Sequence, residues 1–237
     1  MRGMLLEFGG AGLCVGVGAM AWAVAGRSSS VFGPSVWRGA RDRRAIALTF
    51  DDGPSESTPQ LLDLLRENGV PATFFLCGEN ARRLPEIARR IAREGHQIGN
   101  HSDSHPFFCL HSPRFIREQL IRAQRSIAET TSVTPVMFRA PYGVRWFGLR
   151  EAQRQLGLLG VTWTVIGYDW KLPAGAIARR MSRRASNGAI FCLHDGRDTS
   201  LQPDVRPMLE AVSRLIPELL ERGFRFETVS QILCPTT

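Results

Sequence analysis

Two short stretches of the chain carry side chains that chemistry needs more than folding does. "TFDDGP", residues 49–54, sets adjacent carboxylates, Asp51 and Asp52, into a Gly-Pro turn directly behind the apolar run "AIAL". Neighbouring like charges repel, and successive strand side chains point to opposite faces, so the pair offers little stability beyond capping the segment that follows. "HSDSH", residues 101–105, holds two histidines four positions apart. On a helical turn His101 and His105 share one face and can grip one metal ion. One added acid makes a two-histidine, one-carboxylate set with positions left for water, as catalytic zinc and iron(II) sites have. One aspartate of the pair then binds the ion. The other, aimed differently by the turn, is free to take a proton from water at the ion.

Such groups need a frame. Short apolar runs, "AIALTF", "ATFFLC", "QIGNH", "VMFRA", "VTWTVIG", "AIFCLHD" and "FRFETVS", alternate with stretches of helical periodicity such as "TPQLLDLLRENG" and "SPRFIREQLIRAQRSIAE". Strand–helix alternation predicts βα units and a parallel sheet. Seven units in one run suit a barrel, and no break in composition divides residues 45–233, which read as one α/β domain. In such barrels reactive groups collect where strands finish. The unusual polar residues fall there: Asp51 and Asp52 after the first run, "HSDSH" after the third, "RAPYG" (139–143) after the fourth, "YDW" (168–170) after the fifth and "LHDG" (193–196) after the sixth.

The chain has 237 residues with a formal net charge of +8, carried almost wholly by arginine since Lys171 is the only lysine. The arginines are spread over helix-like stretches without interleaved aromatics, which reads as solvated helix faces and not as a nucleic-acid footprint. Five cysteines (Cys14, Cys77, Cys109, Cys192, Cys234) are odd in number, widely spaced and without a CxxC pair, so no disulfide framework or thiolate zinc site is signalled. Residues 8–26 are uncharged and long enough for an apolar N-terminal membrane anchor or signal segment (1–26). Residues 27–44, rich in Ser, Gly, Pro and Arg, read as a linker. A protein anchored in the membrane or secreted to the cell envelope is expected, though the arginines after the segment also fit a cytoplasmic domain.

With five motifs in order over Ile46–Ile232, the sequence resembles the polysaccharide deacetylases, carbohydrate esterases that include chitooligosaccharide and peptidoglycan N-deacetylases and the nodulation-type deacetylase domain. "TFDDGP", "HSDSH" and "RAPYG" match closely; "YDW" and "LHD" match in part. The resemblance implies a distorted (β/α)7 TIM-like barrel and hydrolysis of N-acetyl groups on N-acetylated oligo- or polysaccharides; a monomer is expected. An O-acetyl ester, a non-carbohydrate amide or a silent glycan-binding domain are the alternatives. It implies a divalent metal held by Asp52, His101 and His105, with zinc expected and cobalt(II) or iron(II) as substitutes. Asp51 becomes the base, Arg139 its partner, and the Tyr142 N–H an oxyanion donor. His194 becomes the acid, tuned by Asp169, while Trp170, Leu193 and Pro141 border the substrate. The family often carries another acid three residues before Asp169; here that place holds Ile166.

Overall fold

The computed structural model describes residues 16–234. Along the chain come α1 (16–25), β1 (Ser35–Val36), β2 (Ala45–Asp51), α2 (Thr58–Glu67), β3 (Thr73–Leu76), α3 (Gly78–Arg83), α4 (Pro85–Arg93) and β4 (Gln97–Asn100). Then follow α5 (Pro113–Thr131), β5 (Met137–Phe138), a 3-10 turn (Pro141–Gly143), α6 (Leu149–Leu156), β6 (Leu159–Val161), β7 (Val165–Ile166), α7 (Ala174–Arg183), β8 (Ala189–His194), α8 (Arg206–Glu221), β9 (Arg225–Phe226) and α9 (Val229–Leu233). The strands form one parallel sheet in the order β1-β6-β5-β4-β3-β2-β8-β7, with β9 paired to the start of β2. Curled with helices outside, it is the expected distorted barrel.

Strand alternation explains how the sheet aims its residues. In β2, Ile46, Leu48 and Phe50 join the core beneath the helices, while Ala45 and Ala47 enter the smaller cluster on the opposite face with Phe75, Ile190 and Val229. Two and four residues on from Ala47, Thr49 and Asp51 share that inner face, and Asp51 ends the strand there. Burial of the helix-facing residues, at roughly 1.5–3 kcal/mol per large apolar side chain, holds β2 in this register. A slip of one residue would turn Asp51 into the apolar core.

Two expectations about local structure change. The run "VTWTVIG" is not one strand but two, β6 and β7, which do not pair with each other. Between them Thr162 and Thr164 bond to the N-terminal segment: Thr162 Oγ1 donates to Arg27 O at 2.7 Å, and Thr164 Oγ1 to Trp37 O at 2.8 Å. The second change concerns residues 27–44, expected as a linker. They carry β1, which pairs with β6, and Arg38 bridges antiparallel to Ala189 of β8. Gly39 N–H donates to Gly188 O at 2.8 Å. The segment thus fills the seam that β6 and β7 leave open, because the short strands there cannot satisfy each other's backbone groups.

At its N-terminal end the segment is fastened by Arg145, a buried side chain whose guanidinium donates to Ser29 O (2.6 Å) and Gly26 O, with Arg145 N–H donating to Val24 O at 3.0 Å. Residues 16–22 of α1 are all exposed, Val17, Met20 and Trp22 among them. Among the described residues no helix is long and apolar enough to cross a membrane. The expected anchor, residues 8–26, lies partly outside them, as does Cys14.

Candidate active site

A cavity of about 510 Å³ opens at the carboxyl ends of the strands, lined by Asp51, Asp52, His101, His105, Tyr142, His194 and Asp198 on one side. Trp163, Ile166, Tyr168 and Trp170 supply an aromatic and aliphatic wall. Every predicted motif therefore reaches one place, and strand ends bring it there. Asp51 closes β2, His101 follows β4, Arg139 follows β5 and His194 closes β8 in register with Asp51.

Asp52, one residue past the strand, turns away with φ 72°. The left-handed turn aims the two carboxylates differently, as the sequence suggested. Its Oδ1 lies 3.2 Å from His101 Nε2 and 3.0 Å from His105 Nε2. The histidines do not sit on a helical turn, which corrects the expectation. Residues 101–105 form a loop in which Ser102 and His105 both have positive φ (66° and 56°). Asn100 Oδ1 accepts from Ser102 N–H, and Ser102 Oγ accepts from His105 N–H, so local side chains substitute for helix bonds. Strained backbone is concentrated at the site: Asp52, Ser102, His105, Tyr142, Tyr168 and Asp198 all have positive φ.

The donor set fits a divalent cation. Three ligand atoms from Asp52, His101 and His105 lie within 4.8 Å of one another, and Asp52 Oδ1 is a buried oxygen without a hydrogen-bond partner. His101 Nδ1 is tied to Arg139 O at 2.7 Å, which leaves Nε2 facing Asp52. Burial alone would raise the Asp52 pKa, yet the His101 and His105 imidazoles beside it hold its carboxyl well below the usual range. A second cluster, Asp51, Cys192 and His194, also has ligand atoms close together. Burial and the charge of Asp51 push the Cys192 thiol well above its ordinary pKa, so it stays protonated and donates to Asp51 Oδ2 at 3.4 Å.

Asp51 is held from both sides. Arg139 Nη1 donates to its Oδ1 at 2.6 Å and to Thr49 Oγ1 at 2.6 Å. Arg139 itself is 1% exposed, donates from Nε to Val161 O and from Nη2 to Thr162 O, and lies over the Phe75 ring. Those carbonyls come from the strand break beside the N-terminal segment. On the neighbouring strand end, His194 Nδ1 meets Asp169 Oδ1 at 2.9 Å, while His194 N–H donates to Asp169 Oδ2 at 2.8 Å. Burial works against the charged ring, but the charge and hydrogen bond of Asp169 outweigh it and raise the His194 pKa to about 9. Trp170 packs edge-on against that ring.

Not every expected residue faces the cavity. Leu193 is fully buried in the helix-facing core, as alternation along β8 requires when His194 faces inward, and Pro141 is buried outside the lining. Sequence reasoning missed Trp163 and Ile166, hidden inside an apolar run, and Asp198, whose only signal was its place four residues after His194. Asp103, between the histidines, is buried and paired with Arg82 at 2.6 Å. Asp195 is buried behind the first motif, accepting from Thr58 Oγ1 at 2.6 Å; burial raises its pKa to about 7.

Known proteins are similar to this chain in sequence and fold. The polysaccharide deacetylase profile matches residues 38–161. A peptidoglycan-N-acetylglucosamine deacetylase of Bacillus cereus is 36% identical over 193 residues, 81% of this chain and 69% of that protein. A chitooligosaccharide deacetylase of Sinorhizobium fredii is 35% identical over 198 residues, 79% of this chain and 91% of the other. Among solved structures, a peptidoglycan N-acetylglucosamine deacetylase in complex with an N-hydroxybenzamide is similar with a TM-score of 0.79 and 33% identity, covering 85% of this chain and 93% of that one. A CE4 family pseudoenzyme from Bacillus anthracis is similar with a TM-score of 0.77 and 26% identity, covering 86% and 70%. With the profile spanning half the sequence and close relatives over most of it, the chain belongs to the polysaccharide deacetylase family.

Proposed function

We propose that the protein hydrolyses N-acetyl groups on N-acetylated glycans, chitooligosaccharide or peptidoglycan-like, at a site that binds a divalent metal, zinc by preference. The observation that carries this reading is the placement of a fixed carboxylate, Asp51, and a protonatable imidazole, His194, in one cavity with the Asp52–His101–His105 donor set. Binding alone needs neither a base nor an acid.

Asp52, His101 and His105 would hold the ion, which supplies Lewis acidity toward an amide carbonyl and makes water acidic at neutral pH. Asp51 takes the proton of the attacking water; Arg139 and Cys192 fix both its oxygens, so its basic lone pairs aim into the cavity. The backbone N–H of Tyr142, with φ 57° in the turn after Arg139, offers a donor to the negative charge developing on the carbonyl oxygen. His194, protonated through Asp169, gives its proton to the departing amine nitrogen, which leaves only as a neutral amine. Trp170, joined by Trp163 and Ile166, gives the acetyl methyl an apolar wall.

We also place the enzyme as a monomer at the cell envelope, held to the membrane by residues 8–26. The support is that residues 16–22, without a charged side chain, are exposed all round their helix, and such a surface calls for an apolar cover.

Acetate release from N-acetylglucosamine oligomers and from peptidoglycan tests the reading. Asp51→Asn should abolish turnover while keeping bound metal, and Asp52→Asn should lose both. Full activity in Asp51→Asn, or an inert wild type with metal bound, as expected of a pseudoenzyme, would refute it.

A further inference from the structure

The loop after β8 brings Asp198 over the two elements that the proposed chemistry needs held still. Asp198 Oδ1 lies 2.7 Å from His105 Nδ1 and accepts the Tyr142 hydroxyl at 2.8 Å. The backbone around it is already fastened: Asp198 N–H donates to Asp52 Oδ2 at 3.0 Å, and its carbonyl accepts from Asn80 Nδ2 at 3.3 Å. With φ 49° it occupies the left-handed region, which aspartate tolerates better than most residues.

The two histidines of the donor set differ in one respect. His101 Nδ1 has its acceptor in Arg139 O, whereas His105 Nδ1 is a buried nitrogen without an aligned hydrogen-bond partner among the described residues. A ring that is to present Nε2 to a cation must carry its proton on Nδ1, and that proton needs an acceptor. Asp198 Oδ1 stands at the required distance, 2.7 Å. The same oxygen holds Tyr142, whose ring packs edge-on against His105 with centroids 4.6 Å apart.

We infer that Asp198 is a positioning residue: it holds His105 with Nε2 toward the metal and locks the Tyr142 turn whose N–H faces the reacting carbonyl. This rests on the reading of Asp52, His101 and His105 as metal ligands. It predicts a larger effect on metal binding than the residue's exposed position (its side chain is 57% accessible) would suggest.

Asp198→Gly removes the carboxylate without straining the left-handed backbone, Asp198→Asn keeps an oxygen acceptor, and Tyr142→Phe removes the tyrosine contact alone. Zinc dissociation constants by chelator competition should rise about 10–100-fold for Asp198→Gly, with Asp198→Asn recovering most of the loss and Tyr142→Phe close to wild type. In the metal-free protein, nitrogen NMR of His105 should show the Nδ1–H tautomer in wild type and a mixture in Asp198→Gly. Unchanged zinc affinity and an unchanged His105 tautomer in Asp198→Gly would overturn the inference, as would a wild type that binds no zinc. Because neither readout needs turnover, an inactive but zinc-binding wild type would refute the deacetylase reading and leave Asp198 standing.

Discussion

The pairing of His194 with Asp169 makes a prediction that depends on pH in a definite direction. A general acid works only while it carries its proton, so activity falls as pH rises through its pKa. In the folded protein that pKa stands near 9, above the ordinary 6.5, because Asp169 outweighs burial. Asp169→Asn removes the charge and turns an amide N–H₂ toward Nδ1, while the amide oxygen can still accept His194 N–H and preserve the loop. Burial is then opposed only by the charges of Asp52 and Asp51, and the imidazolium pKa falls toward its ordinary value. The alkaline limb of kcat/KM should move from about 9 toward the ordinary 6.5. At pH 8, roughly nine-tenths of a group with pKa 9 is protonated, against about 3% for one at 6.5, so the defect should approach about 30-fold. At pH 6 the same comparison gives a factor of about 1.3. A pH–rate series on wild type and variant is the assay. An alkaline limb that stays in place, or a loss equal at pH 6 and pH 8, would refute the assignment of His194 as the acid.

Other expectations follow from packing. Arg139→Met leaves Asp51 buried without its counter-charge and the carbonyls of Val161 and Thr162 without a donor; urea unfolding should show a loss of about 3–5 kcal/mol, and a loss below about 1 would refute that picture. Gly196→Ala would put a Cβ 2.5 Å from Asp52 O and 2.9 Å from Asp52 Cβ. It should cost about 1–3 kcal/mol and weaken zinc binding by displacing a ligand; unaltered stability and zinc affinity would show that the close approach is not constraining.

Much of the site was legible in the chain because its residue types are costly anywhere else. Adjacent carboxylates, paired histidines and polar groups at the ends of apolar runs have few stabilising uses, so Asp51, Asp52, His101, His105, Arg139 and His194 stood out before any coordinates. Strand alternation also carried the inner face of β2 from Ala45 to Asp51. The polysaccharide deacetylase motifs extended this to the family and the barrel, which the profile and the relatives bear out.

What the sequence left to the tertiary structure was whatever depends on contacts between distant segments. Residues 27–44 have the composition of a linker, and nothing local says that they fill the seam between β6 and β7; that role exists only because two short strands fail to pair. Leu193 was expected beside the substrate from the family resemblance, and alternation sends it to the other face. The histidine pair was legible as a ligand set but not as a loop, since its left-handed turns are imposed by Asn100, Ser102 and Asp52 around it. Asp198 had no pattern of its own. Its meaning arises only where a returning loop sets one carboxylate oxygen against an imidazole and a phenol from two other strand ends.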